Sequence, residues 1–255
     1  MTGVLLDERQ GDALQIVTAS DRPDLDSAAA AAFREKWPEF VFHDEVSGRY
    51  VPRVEQLFPR YNIFVLDGES VVAGGWGVPL AWDGGVTDLP DGYDGALVRS
   101  VDGHESGRRP TTLSFMAAAV AKSHDKQGLA TVVLEELTRR AVEDGLEHVV
   151  APLRPTWKHR YPLVAMAEYA GWVRADGLCL DPWIRTHQRM GARVLAPAAR
   201  SMVVAGTVAQ WEGWADMLFP VSGDYVVPDA LGLVHVDRER DHAEYVEENL
   251  WVQHR

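Results

Sequence analysis

One cysteine, Cys179, stands alone in 255 residues, so no disulfide can close within the chain. A lone thiol fits a reducing compartment, and its expected role is that of a small buried hydrophobe rather than a nucleophile. No run of 18 or more apolar residues occurs, so no membrane-spanning helix is expected. The opening MTGVLLDERQGD has too short an apolar part, and too acidic a flank, for a secretory signal, which makes the cytoplasm the expected compartment. Positive charge is also scarce: 25 Lys and Arg face 38 Asp and Glu, a formal net charge of −13. That balance argues against nucleic acid or an anionic membrane as the main partner. The nine histidines are scattered and match no ligand spacing, so no metal is expected. Repeats and low-complexity segments are missing as well.

What remains is an ordinary globular composition, 46% hydrophobic and 25% charged, long enough to bury a substantial core. RPDLDSAAAAAFREKW (Arg22 to Trp37) reads as a helix with an acidic first turn, and VPRVEQLF (Val51 to Phe58) as a second, short one. Two apolar runs, Ile63 to Leu66 and Ser70 to Val78, flank Asp67-Gly68 and signal a hairpin. Trp82 to Arg109 is rich in Gly and Asp and reads as a long surface loop covering a site. Its acidic part, Asp83 to Asp102, would offer a field for a cationic acceptor. Thr111 to Ala121 reads as a strand, Gln127 to Asp144 as an amphipathic helix stopped by Gly145, and His148 to Leu153 as a buried strand. LVAMAEYAGW and the Asp-capped, Pro-opened DPWIRTHQRMG read as helices, with ARVL as a strand after Gly191. Beyond Pro197, SMVVAGTV, GLVHV and NLWVQH are strand-like and AQWEGWADM is a short helix.

The stretch AAAVAKSHDKQGLATVVLEELTRRAVEDG (Ala117 to Gly145) joins a small-residue strand to a helix that starts around Gly128. Bare N–H groups and the helix dipole make such a start an anion site, and Gly128 lets a ligand approach the backbone. Lys126 adds charge at the rim. Small residues from Ala117 to Ala121 leave room for a narrow, linear arm, so a diphosphate carrying one fits; tight strand–helix packing with a solvated loop fits the same residues.

The longer run LSFMAAAVAKSHDKQGLATVVLEELTRRAVEDGLEHVVAPL resembles the coenzyme A-binding core of the GCN5-related N-acetyltransferase (GNAT) superfamily. That family's loop has the pattern Gln/Arg-x-x-Gly-x-Gly/Ala. Gly128 and Ala130 match it, whereas Asp125 stands where Gln or Arg is usual. IRTHQRMGARVL resembles the family's second signature, a helix ending in a Gly and a strand. The resemblance implies an α/β (α+β) fold whose mixed, mostly antiparallel sheet splays at the acyl-CoA cleft and is flanked by helices. Residues 1–196 would form this core and residues 197–255 a C-terminal extension packed on the same domain. It implies acetyl-CoA or another acyl-CoA as co-substrate, held by Ala119, Val120, Ala121, Lys126, Gln127, Gly128, Leu129, Ala130 and Thr131. In the family a tyrosine four residues before the signature Gly often protonates the leaving thiolate; here that position is His187, four before Gly191.

A narrower resemblance joins RPTWKHRYPL, AEYAGW, DPWIRTHQRMGARVL and SMVVAGTVAQWEGW to the GNAT-like domains that start some modular polyketide synthases. Those domains decarboxylate malonyl-type thioesters with a histidine and a threonine, which implies His187 and Thr156 here. Arg154, Lys158, Arg160 or Arg200 could hold a carboxylate, and Tyr161 and Tyr169 are alternative acids. Trp76 and Trp82 could line the acyl pocket or simply pack. Three readings follow. The first is acyl transfer from coenzyme A to an amine or similar acceptor. The second is decarboxylation, or loading of a carrier protein, and the third a catalytically silent acyl-CoA binder. The partners expected are a small acyl-CoA and an unidentified acceptor, a carrier protein among the options; the C-terminal strands could also pair across a homodimer.

Overall fold

The computed structural model describes residues 14–255 apart from 26, 28, 30–33 and 35. The helix expected over residues 22–37 therefore lies in large part outside the described residues. In chain order, strand β1 (Gln15–Thr18) leads to helix α1 (Glu45–Leu57). Asp44 caps α1, its carboxylate accepting from the N–H groups of Val46 and Ser47. This cap starts the helix six residues before the expected Val51, because a buried Asp outweighs the weak helix formers Ser47 and Gly48 that follow it. Strands β2 (Asn62–Asp67) and β3 (Ser70–Leu80) form the expected hairpin, with Gly68 at φ +58° in a two-residue turn.

The loop expected over residues 82–109 is corrected by the structure: helix α2 (Gly92–Glu105) occupies its second half. Its buried Ala96, Leu97, Ser100 and Val101 recur at three and four, a stripe that the intervening Gly and Asp residues conceal. Gly92, at φ +55°, abuts Ser201 so closely that no side chain fits there. Strand β4 (Thr112–Val120), helix α3 (Leu129–Glu143) and strand β5 (His148–Leu153) follow as a unit of strand, crossover helix and parallel strand. Leu129, Val133, Leu134, Leu137 and Ala141 bury one face of α3, each large side chain contributing about 2 kcal/mol. Short helices α4 (Met166–Ala170) and α5 (Pro182–Arg189) lead to the long strand β6 (Arg193–Gly206). Helix α6 (Val208–Ala215), closed by a Thr207/Gln210 capping box, and strands β7 (Gly223–Tyr225), β8 (Val234–Asp237) and β9 (His242–Gln253) complete the chain.

The strands form one sheet in the order β1-β2-β3-β4-β5-β9-β8-β7, with β6 also paired to β9. All pairings are antiparallel except β4 with β5. The boundary expected after residue 196 falls within β6, which runs through it unbroken. β9 inserts beside β5 and sends Leu250, Trp251 and Val252 into the main core. A second apolar cluster gathers Trp211, Phe219 and Tyr245 of the C-terminal region around Phe40.

Candidate active site

The parallel pairing of β4 and β5 lasts for three residue pairs, Thr112/His148 to Ser114/Val150. Past Ser114 the strands part: β4 continues along β3 to Val120, while β5 turns to β9. The gap opens into a cavity of about 680 Å³. Residues 115–119 of β4 form one wall and residues 151–154 of β5 the other, with Gly74, Gly75 and Trp76 of β3 beside them. Ser47, Val51 and Glu55 of α1, Tyr93 of α2 and Arg34 close it from the helical side. Small residues keep this space open. At Gly75 a Cβ would lie 2.6 Å from the Ala117 carbonyl oxygen and 2.7 Å from Val133 Cγ1, so α3 packs here only against glycine.

Helix α5 carries His187 into the wall, and Asp181 fixes that helix. The Asp181 carboxylate, fully buried, accepts from the N–H groups of Trp157 (2.7 Å), Trp183 (2.8 Å), Ile184 (3.1 Å) and Thr156 (3.3 Å) and from the Tyr169 hydroxyl (2.8 Å). One side chain thus caps α5 and ties it to the segment after β5. His187 is 2% exposed; its Nδ1 lies 2.7 Å from His254 Nε2, while its own Nε2 is buried with no partner among the described residues. Burial, then the neighbouring His254, pushes the His187 pKa down to about 3, and burial pushes that of His254 down to about 4. Both rings are neutral at pH 7. The edge of Trp183 packs on His187 with ring centroids 4.5 Å apart.

The residues expected to hold the cofactor follow β4 in one continuous stretch. Ala119 lines the cavity; Val120 and Ala121 lead out of it, the Ala121 N–H donating to the Val72 carbonyl. Lys126 and Gly128 both adopt left-handed backbone, at φ +66° and +80°, and this turns the chain into α3. The N–H groups of Thr131 and Val132 donate to the Gly128 carbonyl, so the helix begins there, leaving its earlier N–H groups outside the intrahelical ladder. Lys126, Gln127 and Gly128 are exposed, and Ala130 and Thr131 half-buried. The Leu129 side chain is core, so only its backbone could face a ligand. Asp125, which breaks the sequence pattern, pairs with Lys36 Nζ at 3.3 Å; its charge is therefore balanced beside the proposed diphosphate position.

Other expected residues do not converge on His187. Thr156 is exposed and absent from the cavity wall, and its N–H is committed to Asp181. Arg154 reaches the cavity but is held by Glu247 (Nε to the two oxygens, 3.1 and 2.9 Å) and by the Asp229 carbonyl. Lys158 is buried, donating to the carbonyls of Tyr161 and Leu231, and burial lowers its pKa. Arg160 covers the Trp157 ring, and Arg200 is exposed on β6. Trp76 lines the cavity, whereas Trp82 is core, its indole N–H donating to the Gly85 carbonyl. Tyr169 is spent on Asp181, and neither it nor Tyr161 reaches the cavity.

Sequence reasoning missed the polar groups behind the helical wall. Asp44 and Asp94 are both buried, and Asp94 Oδ1 has no hydrogen-bond partner among the described residues. Asp94 is protonated at pH 7: burial first, then the Asp44 charge, pushes its pKa up to about 9, against the Val203 N–H that donates to it. Ser47, which lines the cavity, donates to Asp44 at 2.5 Å. Glu247, 1% exposed, accepts from Arg154, the Tyr245 hydroxyl (2.9 Å) and the Asn249 amide (2.9 Å). His254, Glu247 and Asn249 all belong to the final strand or its end, where an alternating pattern was the sole visible signal.

No protein-family model matches the chain. It is 32% identical to an arginine N-acetyltransferase of Aspergillus versicolor over 269 aligned residues, 93% of this chain and 92% of that one. Among solved structures it is similar to the loading GNATL domain of CurA from Lyngbya majuscula, with a TM-score of 0.60 and 16% identity over 94% of this chain and 95% of that chain. It is also similar to the GphF GNAT-like decarboxylase in complex with isobutyryl-CoA, with a TM-score of 0.56 and 20% identity over 73% of this chain and 89% of that chain. At these identities the two structural likenesses bear on the fold alone.

Proposed function

The chain belongs to the GNAT superfamily as an acyltransferase, and from that premise we propose that it moves an acetyl or other short acyl group from coenzyme A to an amine of arginine or a closely similar amino acid. The observation that carries this reading is the cavity itself: it opens where β4 leaves β5 and is lined by His187, whose Nε2 is buried with no partner among the described residues. An acyl-CoA arm laid along residues 117–119 would put its thioester near His187, with the diphosphate at the start of α3. Coenzyme A would supply the activated acyl carbon. Catalysis would then rest mainly on orientation and on a donor facing the charge that develops as the amine attacks. The neutral His187 suits a hydrogen-bond donor better than a proton carrier, since its pKa of about 3 keeps imidazolium out of reach near pH 7.

Four charged side chains line the cavity, Arg34 and Arg154 against Glu55 and Glu247. Arg154 and Glu247 are paired with each other, and the net charge of −13 favours the approach of a cation such as a basic amino acid. The relative's activity on arginine supports the same class. Decarboxylation of a malonyl-type thioester is the less supported reading, because Thr156 lies outside the cavity and Arg154, Lys158 and Arg160 are otherwise engaged.

The test is mass spectrometry after incubation with acetyl-CoA and a panel of arginine, agmatine, lysine and ornithine, with malonyl-CoA alone as a parallel arm. Acetylated arginine, with malonyl-CoA unchanged, is the expected result. Conversion of malonyl-CoA to acetyl-CoA without any acetylated amine would overturn the assignment.

A further inference from the structure

His254 lies 67 positions from His187 in sequence, just past β9. Its N–H donates to the Val149 carbonyl at 2.8 Å, which anchors the residue on β5, and its ring packs on Phe115 of the cavity wall. The 2.7 Å contact between His254 Nε2 and His187 Nδ1 needs one N–H between the two nitrogens, because two lone pairs at that distance repel. Each neutral ring carries a single N–H, so two arrangements are open. If His254 donates, the His187 proton sits on Nε2, the buried atom left without a partner. If His187 donates, its Nε2 is a bare lone pair. A thioester under attack gathers negative charge on its carbonyl oxygen and then on sulfur, and a lone pair facing either would repel it.

We propose that His254 is a positioning residue: by donating its Nε2–H to His187 Nδ1 it fixes the tautomer in which His187 presents Nε2–H to the acyl group. This rests on the acyl-transfer reading above. The N–H is a hydrogen-bond donor throughout, so no proton leaves His187; the bond made is amine nitrogen to acyl carbon, and the bond broken is acyl carbon to sulfur, with coenzyme A departing as thiolate. The proton lost by the amine goes to solvent.

The experiment combines kinetics with imidazole spectra of ¹⁵N-histidine-labelled protein at pH 7. In the wild type, His187 Nε2 should be protonated and Nδ1 not. His254→Leu should lose that preference and lower kcat at least about tenfold while the KM for acetyl-CoA stays within about twofold. His254→Gln, whose amide can still donate, should keep the tautomer and recover most of kcat. A wild-type spectrum with the proton on His187 Nδ1 overturns the proposal, as does a His254→Leu enzyme with unchanged kcat; should His254→Leu fail to fold, the wild-type and His254→Gln spectra still decide. Absence of any acyl transfer by a wild type that shows the Nε2–H spectrum defeats the assigned reaction and not the tautomer, so the two failures are distinguishable.

Discussion

Two buried polar pairs back different walls of one cavity, and they answer protons in opposite senses. His187 and His254 stand behind the sheet side, and Asp44 with Asp94 behind Ser47 and Tyr93 on the helical side. Burial acts on both in the same way, by expelling charge. The histidines stay unprotonated down to about pH 3 to 4, whereas Asp94 keeps its proton to about pH 9. Within these two pairs, an acid-rich chain thereby keeps both histidines and Asp94 uncharged near pH 7.

The largest effect expected on this comparison comes from the support of its histidine side. Asp181→Ala removes a carboxylate that accepts five hydrogen bonds, and should cost about 3–5 kcal/mol of stability in urea titration. It should also release His187 from the cavity wall. An unchanged midpoint would show that α5 is held by packing alone.

Next comes the carboxyl pair. The unfolded chain gives up the Asp94 proton above pH about 4, and the folded chain keeps it to about 9, so wild-type stability should fall as pH rises through that window. Asp94→Asn, which keeps a polar group of the same shape without an ionisable proton, should be more stable than wild type by about 2 kcal/mol at pH 8 and no more stable at pH 4. Equal pH profiles for the two proteins would remove the buried Asp94 proton from the account.

The histidine pair should tilt stability the other way. Below about pH 6.5 the unfolded chain takes up protons that the folded rings refuse until about 4 and 3, so stability should drop as the pH falls. Between pH 6.5 and 5 the loss should be about 3 kcal/mol, and His254→Gln should lose about half as much over the same interval, as followed by thermal melts. A steeper loss in the variant would contradict this sign.

The smallest stability effect sharpens the contrast between walls and passage. Ala118→Leu narrows the cavity along β4 without touching either pair, and should leave stability within about 1 kcal/mol of wild type. The KM for acetyl-CoA should nonetheless rise about tenfold or more. An unchanged KM would move the arm off β4.

Legibility in the sequence followed the range of the interactions concerned. The β2–β3 hairpin, the start of α3 at Gly128 and the Asp181-Pro182 opening of α5 are set by neighbouring residues, and all three were read from the chain. Helix α2 was not, because Gly92, Gly95 and Gly103 suppress its local propensity while contacts with β6 and β3 hold it. A local pattern singles out His187, whereas nothing local singles out His254, since only the insertion of β9 beside β5 brings residue 254 to it. Thr156 shows the converse: a local pattern marks it, yet the cap at Asp181 takes its backbone N–H and the residue is exposed. Asp94 looked like one more solvated acid until the Asp44 cap was placed against it.

The most direct test of the central claim, that the gap between β4 and β5 brings an acyl thioester to His187, is kcat/KM for acetyl-CoA and arginine in wild type and His187→Ala. Coenzyme A affinity would be measured on the same samples by calorimetry. The account expects kcat/KM to fall about 100-fold or more while coenzyme A binds within about threefold of wild type. Wild-type turnover in His187→Ala, or a loss matched by an equal loss of coenzyme A affinity, would contradict it.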